Sequence, residues 1–188
     1  MAWKHKNKVM KNYDATAELY EERYATEQNA KYKKTLQKVG VSDMMVLDVG
    51  CGLGLFFPIA APSATTVVGV DISRKLLKKA KKHSKIFPEV FVVLADADHL
   101  PFRDIFFDVV FSFTVLQNMP KPSGTIREMI RVAKIEGKIA VTGLKKAFAL
   151  EKFMDVLDKT GLQVCAFEDL QEINCYIAVL YRKIGNTI

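Results

Sequence analysis

The chain has 188 residues, 49% of them hydrophobic and 26% charged, a balance that excludes a disordered or collagen-like chain and suits one folded domain. Its most apolar stretch, residues 44–62, is interrupted by Asp48, three glycines and Pro58, whereas a membrane-spanning helix wants roughly 20 mostly apolar residues. Twenty-eight basic residues against 21 acidic ones leave a net charge of +7, which favours anionic partners such as nucleic acid.

Cys51, Cys165 and Cys175 form no CxxC pair, which predicts a reduced, cytoplasmic compartment. With His5, His83 and His99 they offer no usable ligand spacing, so no structural metal is expected. The amino terminus is polar and Lys-rich with no apolar segment directly behind it, so no secretory leader and no membrane attachment are expected. Neither repeat nor linker is visible, which predicts one domain over residues 1–188, with 1–40 as an N-terminal helical lid or arm.

Along the chain, Lys4, Lys6, Lys8 and Lys11 make a basic arm. The spacing of Tyr13, Ala17, Tyr20 and Tyr24 predicts a helix over Asn12–Val39, closed by Gly40. Residues 44–49 and 65–70 read as buried strands. Ser73 caps a helix from Arg74 to about Lys85, whose lysines form either a solvated face or an RNA-contacting one. Strands follow at 90–94 and 107–113, a helix at 123–133 and a strand at 138–142. A helix at 150–160 and strands at 162–167 and 175–181 complete the chain. Strands alternating with helices, with Val-rich runs buried on both sides, predict an α/β fold with a doubly wound, mostly parallel sheet. The last two strands have no room for a crossover helix and should form an antiparallel hairpin.

The sharpest local feature is Asp48-Val49-Gly50-Cys51-Gly52-Leu53-Gly54, a buried strand running into three glycines. Glycine permits positive φ and close backbone approach to a ligand, and the carboxyl end of a central parallel strand is where open α/β sheets bind one. Leu55 stands where a dinucleotide fingerprint needs its third glycine, and no Gly-Lys-Ser/Thr follows as in a P-loop. Asp71 lies 21 positions after Gly50. There it either accepts hydrogen bonds from two ribose hydroxyls or only helps Ser73 cap the following helix.

With these features in order, the sequence resembles the class I S-adenosylmethionine-dependent methyltransferases, in particular those of type 11. Asp48–Gly54 looks like the first motif of that family and Val70-Asp71-Ile72-Ser73 like the second. Asp96-Ala97-Asp98-His99-Leu100-Pro101-Phe102 resembles the third, and Phe107–Ser112 the fourth. The resemblance spans residues 44–145 and implies a Rossmann-like, seven-stranded sheet whose last strand is antiparallel. It implies S-adenosylmethionine as cofactor and S-adenosylhomocysteine as product. Gly50, Gly52 and the backbone at Cys51 would approach the methionine part and the sugar, and Asp48 would hold the ammonium. Asp71 would take the ribose diol, Ile72 the adenine face, Asp96 the adenine amino group and the Ala97 backbone the ring edge. Leu100 and Pro101 would close the pocket. Phe113 and Thr114 would border the methionine end and the substrate. Tyr13 and Tyr20 would either cover the cofactor or pack in the core. Pro58 and Pro62 limit the first crossover helix to about two turns.

Methyl transfer is an in-line displacement, for which alignment and exclusion of water matter more than a strong base. The Asn/Asp-Pro-Pro-aromatic motif of many amino-group methyltransferases is missing after the fourth strand. In its place Gln117 and Asn118 either orient a substrate or merely form the turn before Pro120. His99 is either a base or a loop histidine, and Cys51 either a reactive thiol or a small packed residue. The clustered lysines suggest an RNA acceptor, tRNA or rRNA, and such compact enzymes often rely on a small zinc-binding activator protein. A small-molecule methyltransferase of the same fold is the alternative. A non-catalytic binding module fits the intact glycines less well.

Overall fold

The computed structural model describes residues 2–16 and 20–183, with side chains placed for 3–15 and 26–183. Its strands are β1 (Met45–Val49), β2 (Thr66–Asp71), β3 (Val90–Leu94), β4 (Phe107–Ser112), β5 (Ala133–Leu144), β6 (Gln163–Glu168) and β7 (Cys175–Tyr181). They form a seven-stranded sheet in the order β3-β2-β1-β4-β5-β7-β6. β1 pairs in parallel with β2 and β4, β2 with β3, and β4 with β5. β7 enters antiparallel between β5 and β6, so the expected hairpin and antiparallel last strand are both present.

The strands form here because both of their faces are apolar. Successive side chains point to opposite sides of a strand, so Leu47, Val49, Val68, Val70, Val110 and Ile139 fall into one core. Their alternates Val46, Val67, Val109, Phe111, Ala140 and Val179 fall into another. The first core is closed by α5 (Pro122–Val132) and α6 (Leu150–Asp158) through Ile126, Met129, Phe153 and Leu157. The second is closed by α2 (Tyr20–Leu36), α3 (Phe57–Ala60) and α4 (Arg74–Ser84) through Tyr32, Phe57, Leu77 and Ala80. The larger aliphatic and aromatic side chains among them each contribute about 1.5–3 kcal/mol by leaving water. Ser73 caps α4 as predicted, its Oγ accepting from the Leu76 N–H at 3.0 Å.

Three predicted elements differ. The chain opens with α1 (Ala2–Thr16), so helix begins ahead of Asn12, and the single helix expected over 12–39 is two. Residues 17–19 and the side chain of Tyr20 lie outside the described residues. The first crossover helix, α3, is one turn rather than two, because the chain turns from Gly52 to Phe56 before Phe57 and Pro58 start it. β5 begins five residues earlier than its Val-rich run suggests. Ala133 pairs with Phe107 ahead of a bulge, and the intervening exposed Glu136 hides this pairing from the sequence pattern.

Candidate functional site

β1 delivers the chain into the glycine turn at the carboxyl edge of the sheet. The N–H groups of Gly50 and Cys51 both donate to the Val70 carbonyl, at 2.8 and 2.9 Å, which ties the turn to β2. Gly50 has φ +78, and a Cβ there would meet Val115 Cγ2 at 2.2 Å. Gly52 has φ +55, and its missing Cβ would point into open space with nothing within 4 Å. The Gly52 N–H donates to Asp71 Oδ2 at 3.0 Å, and the Ser73 N–H to Asp71 Oδ1 at 2.8 Å. The glycine turn and the acidic residue of the next strand are therefore one hydrogen-bonded unit.

That open space is part of a cavity with about 1070 Å³ of empty space, open solvent at its mouth included. Asp48, Gly50, Cys51 and Gly52 line its floor, and Asp71 and Ile72 one wall. Asp96 and Ala97 follow β3 at one end, and Phe113 and Thr114 follow β4 at the other. α1 forms the roof through Lys6, Val9, Met10 and Tyr13. Every residue expected to bind cofactor, apart from Tyr20, lines this space. Leu100 does not, being buried in the core beneath α5, and Pro101 is exposed. His99 is also exposed and away from the cavity.

The electrostatics follow from burial. Asp48 is 2% exposed, and its carboxyl is pushed up to about 8, by desolvation first and by the neighbouring Asp71 second. Asp71 is raised by desolvation too, against the pull of its backbone N–H donors. The Cys51 thiol is pushed well above its ordinary range by burial and then by both carboxylates. It behaves as a small packed residue and not as a reactive thiolate. At the far end Lys6 Nζ lies 2.7 Å from Asp96 and 2.5 Å from Asp98. Burial opposes the Lys6 charge, but the bonds to the two aspartates outweigh it and hold its pKa above the ordinary value. Asp96, expected to face an adenine amino group, is thus engaged by the roof. Among the described residues no group of three or more His, Cys, Asp or Glu is placed to hold a metal, and no helix is long and apolar enough to cross a membrane.

The sequence profile described as "Methyltransferase domain" matches residues 47–141. The chain belongs to this methyltransferase domain family. It is 31% identical over 144 residues to a methyltransferase of Streptomyces halstedii, GfsG, covering 74% of this chain and 51% of that protein. It is 27% identical over 195 residues to the 27-O-demethylrifamycin SV methyltransferase of Amycolatopsis mediterranei, covering 91% and 72%. Among solved structures it resembles a Haloferax volcanii methyltransferase in complex with the activator Trm112. There the TM-score is 0.79 at 15% identity, over 95% of this chain and 97% of that one. Against four curated relatives the chain spans 41% to 66% of their length.

In this methyltransferase domain the end beyond β4 is where the sequence reading falls short. Asn118 lines the cavity and donates to Tyr13 Oη at 3.1 Å and to the Thr114 carbonyl at 3.3 Å. Gln117 lies outside the lining. Its Nε2 donates to the same carbonyl at 2.6 Å, while its buried Oε1 has no partner among the described residues. Gln28 and Tyr32 of α2 also line the cavity, and Lys31 stands behind Thr114 at 3.1 Å. None of these three was singled out from the sequence, because a buried face made of Gln28, Lys31 and Thr35 has no apolar periodicity. Lys6 was read only as part of a basic arm, since its partners lie 90 and 92 positions away.

Proposed function

We propose that the chain is an S-adenosylmethionine-dependent methyltransferase whose acceptor is a small organic molecule. The observation that carries this is the unit of Gly52 and Asp71: a carboxylate fixed by two backbone N–H groups beside a glycine whose missing side chain opens into the cavity. The donor set fits the cofactor. Asp71 offers acceptors for a ribose diol, and Ile72 an apolar face for a base. Asp48 would gain a counter-ion from an amino-acid ammonium, which offsets the burial that now favours its neutral form. When bound, the cofactor supplies a methyl group on a sulfonium for transfer to a nucleophile. Phe113 and Thr114 would stand beside that methyl and orient the acceptor, while the roof formed by α1 would keep water out.

A small acceptor is supported by the enclosure of the Phe113–Thr114 end between α1 and α2, and by the rifamycin relative. The RNA reading rests on charge alone. The lysines of α4 are largely exposed, but Lys75 is spent on the Asp14 carbonyl at 2.6 Å, and single-strand platforms need interleaved aromatic residues. The test uses methyl-labelled cofactor with the purified protein and whole-cell extract. Label in the small-molecule fraction is expected, and label confined to RNA would overturn the acceptor assignment.

A further inference from the structure

Lys31 is left unused by the methyl-donor site. It stands on α2 with 1% exposure, and among the described residues its ammonium hydrogen-bonds neutral groups. It donates to Thr114 Oγ1 at 3.1 Å and to Gln28 Oε1 at 3.3 Å, and it lies against the buried Cys175 thiol. Among the described residues no carboxylate is within ion-pair distance of it. Glu27, one turn away, acts on the Cys175 thiol without pairing with the lysine. A buried ammonium with no counter-ion is costly, so a fold that keeps one invites an anion from elsewhere.

The geometry shows where the anion would come from. Both Thr114 and Gln28 line the cavity, so the charge sits one side chain behind its wall. Thr114 is held at φ +61, unusual for a β-branched residue. Its N–H donates to Thr142 Oγ1 at 2.8 Å, and its carbonyl is taken by Gln117 and Asn118. Its hydroxyl accepts from Lys31 and, at 3.5 Å, from Gln28 Nε2. A hydroxyl has two acceptor sites and one donor, so with both acceptors occupied the proton remains to be given. A hydroxyl backed by an ammonium gives that proton best to an anionic oxygen. Beside it Tyr32 and Phe113 meet edge to face, 4.7 Å between centroids, which suits a planar, unsaturated acceptor.

We propose that Lys31, acting through Thr114 and Gln28, makes the acceptor end of the cavity selective for a small unsaturated molecule bearing an anionic oxygen, a carboxylate or a phenolate. This rests on the methyl-donor reading of the adjoining cavity. Lys31 is a positioning and specificity residue, since it reaches the acceptor through the two side chains in front of it.

The test is calorimetric titration of the full chain, saturated with S-adenosylhomocysteine, with benzoate and with its neutral counterpart benzamide. The expected result is benzoate binding about ten-fold tighter or more, the usual worth of a hydrogen bond to a charged group. Lys31→Met should erase that preference while leaving S-adenosylhomocysteine affinity unchanged, and Lys31→Arg should keep it. Lys31→Met should also melt no lower than the parent without ligand, because it removes a buried charge; a merely structural lysine would lower the melting temperature. Equal binding of the two probes to the parent, no benzoate binding, or a preference surviving in Lys31→Met would overturn the inference alone. Failure of S-adenosylhomocysteine to bind the parent would overturn the donor reading with it.

Discussion

Asp48 closes β1 as a carboxyl that holds its proton to about pH 8, where an unfolded chain would release it near 3.8. Between those values the native state carries a proton that the unfolded state has lost. Unfolding therefore releases a proton, and stability contributed by this group falls as pH rises through that window, levelling above about 8. Denaturant unfolding at pH 6 and pH 9 should show the fall, and Asp48→Asn should flatten it. If Asp48 meets a ligand ammonium, S-adenosylmethionine binding at pH 7 should expel close to one proton, read from binding heats in two buffers of different ionisation enthalpy. At Gly52 the prediction is steric. Gly52→Val puts a side chain into open cavity at φ +55, so cofactor binding should vanish while circular dichroism stays native-like, with some loss of stability from the strained backbone. Asp71→Ala removes the partner of the Gly52 and Ser73 N–H groups. It should weaken S-adenosylhomocysteine by about 1–3 kcal/mol in a titration.

Among the elements, α3 shows how a short helix serves the turn above it. Phe57 is fully buried, and its ring fills the space where Gly54 and Gly69 lack a Cβ, at 2.4 and 2.5 Å from those positions. Phe57→Ala leaves a cavity beneath the glycine turn and should cost about 3–5 kcal/mol in denaturant unfolding. The glycine turn, Asp71 and the strand positions were legible in the sequence because their causes are local: chain reversal, capping and runs apolar on both faces. The N-terminal stretch was read as a helical lid or arm, but the contacts that seat α1 were not legible. Its inward face mixes Lys6, Met10 and Tyr13, and it is satisfied only by aspartates far along the chain. The inward face of α2 was missed for the same reason. β5 was read short because Lys134 and exposed Glu136 follow its buried, paired first residue Ala133 ahead of the apolar run.

At the scale of the whole molecule, two cores share one sheet, and neither can be lost without exposing a face of the same strands. Phe57 belongs to one core and Phe153 to the other. Phe57→Ala and Phe153→Ala should therefore lower one and the same cooperative transition. As the sites share no partner, their effects should add to within about 0.5 kcal/mol, measured on the double variant. The antiparallel insertion of β7 brings Cys175 beside Lys31, behind the cavity wall.

α1 is fastened along its whole length. His5 bonds the Asn118 carbonyl at 3.1 Å, Lys6 holds the loop after β3, Asn118 holds Tyr13, and Asp14 takes the Ser73 hydroxyl. A ligand seated beneath α1 should therefore leave only as these fastenings loosen. The strongest of them are the partly buried Lys6 ion pairs, which salt weakens in part. Stopped-flow measurements should show S-adenosylhomocysteine departing faster as ionic strength rises. In Lys6→Ala that departure should be fast from the outset and nearly indifferent to salt.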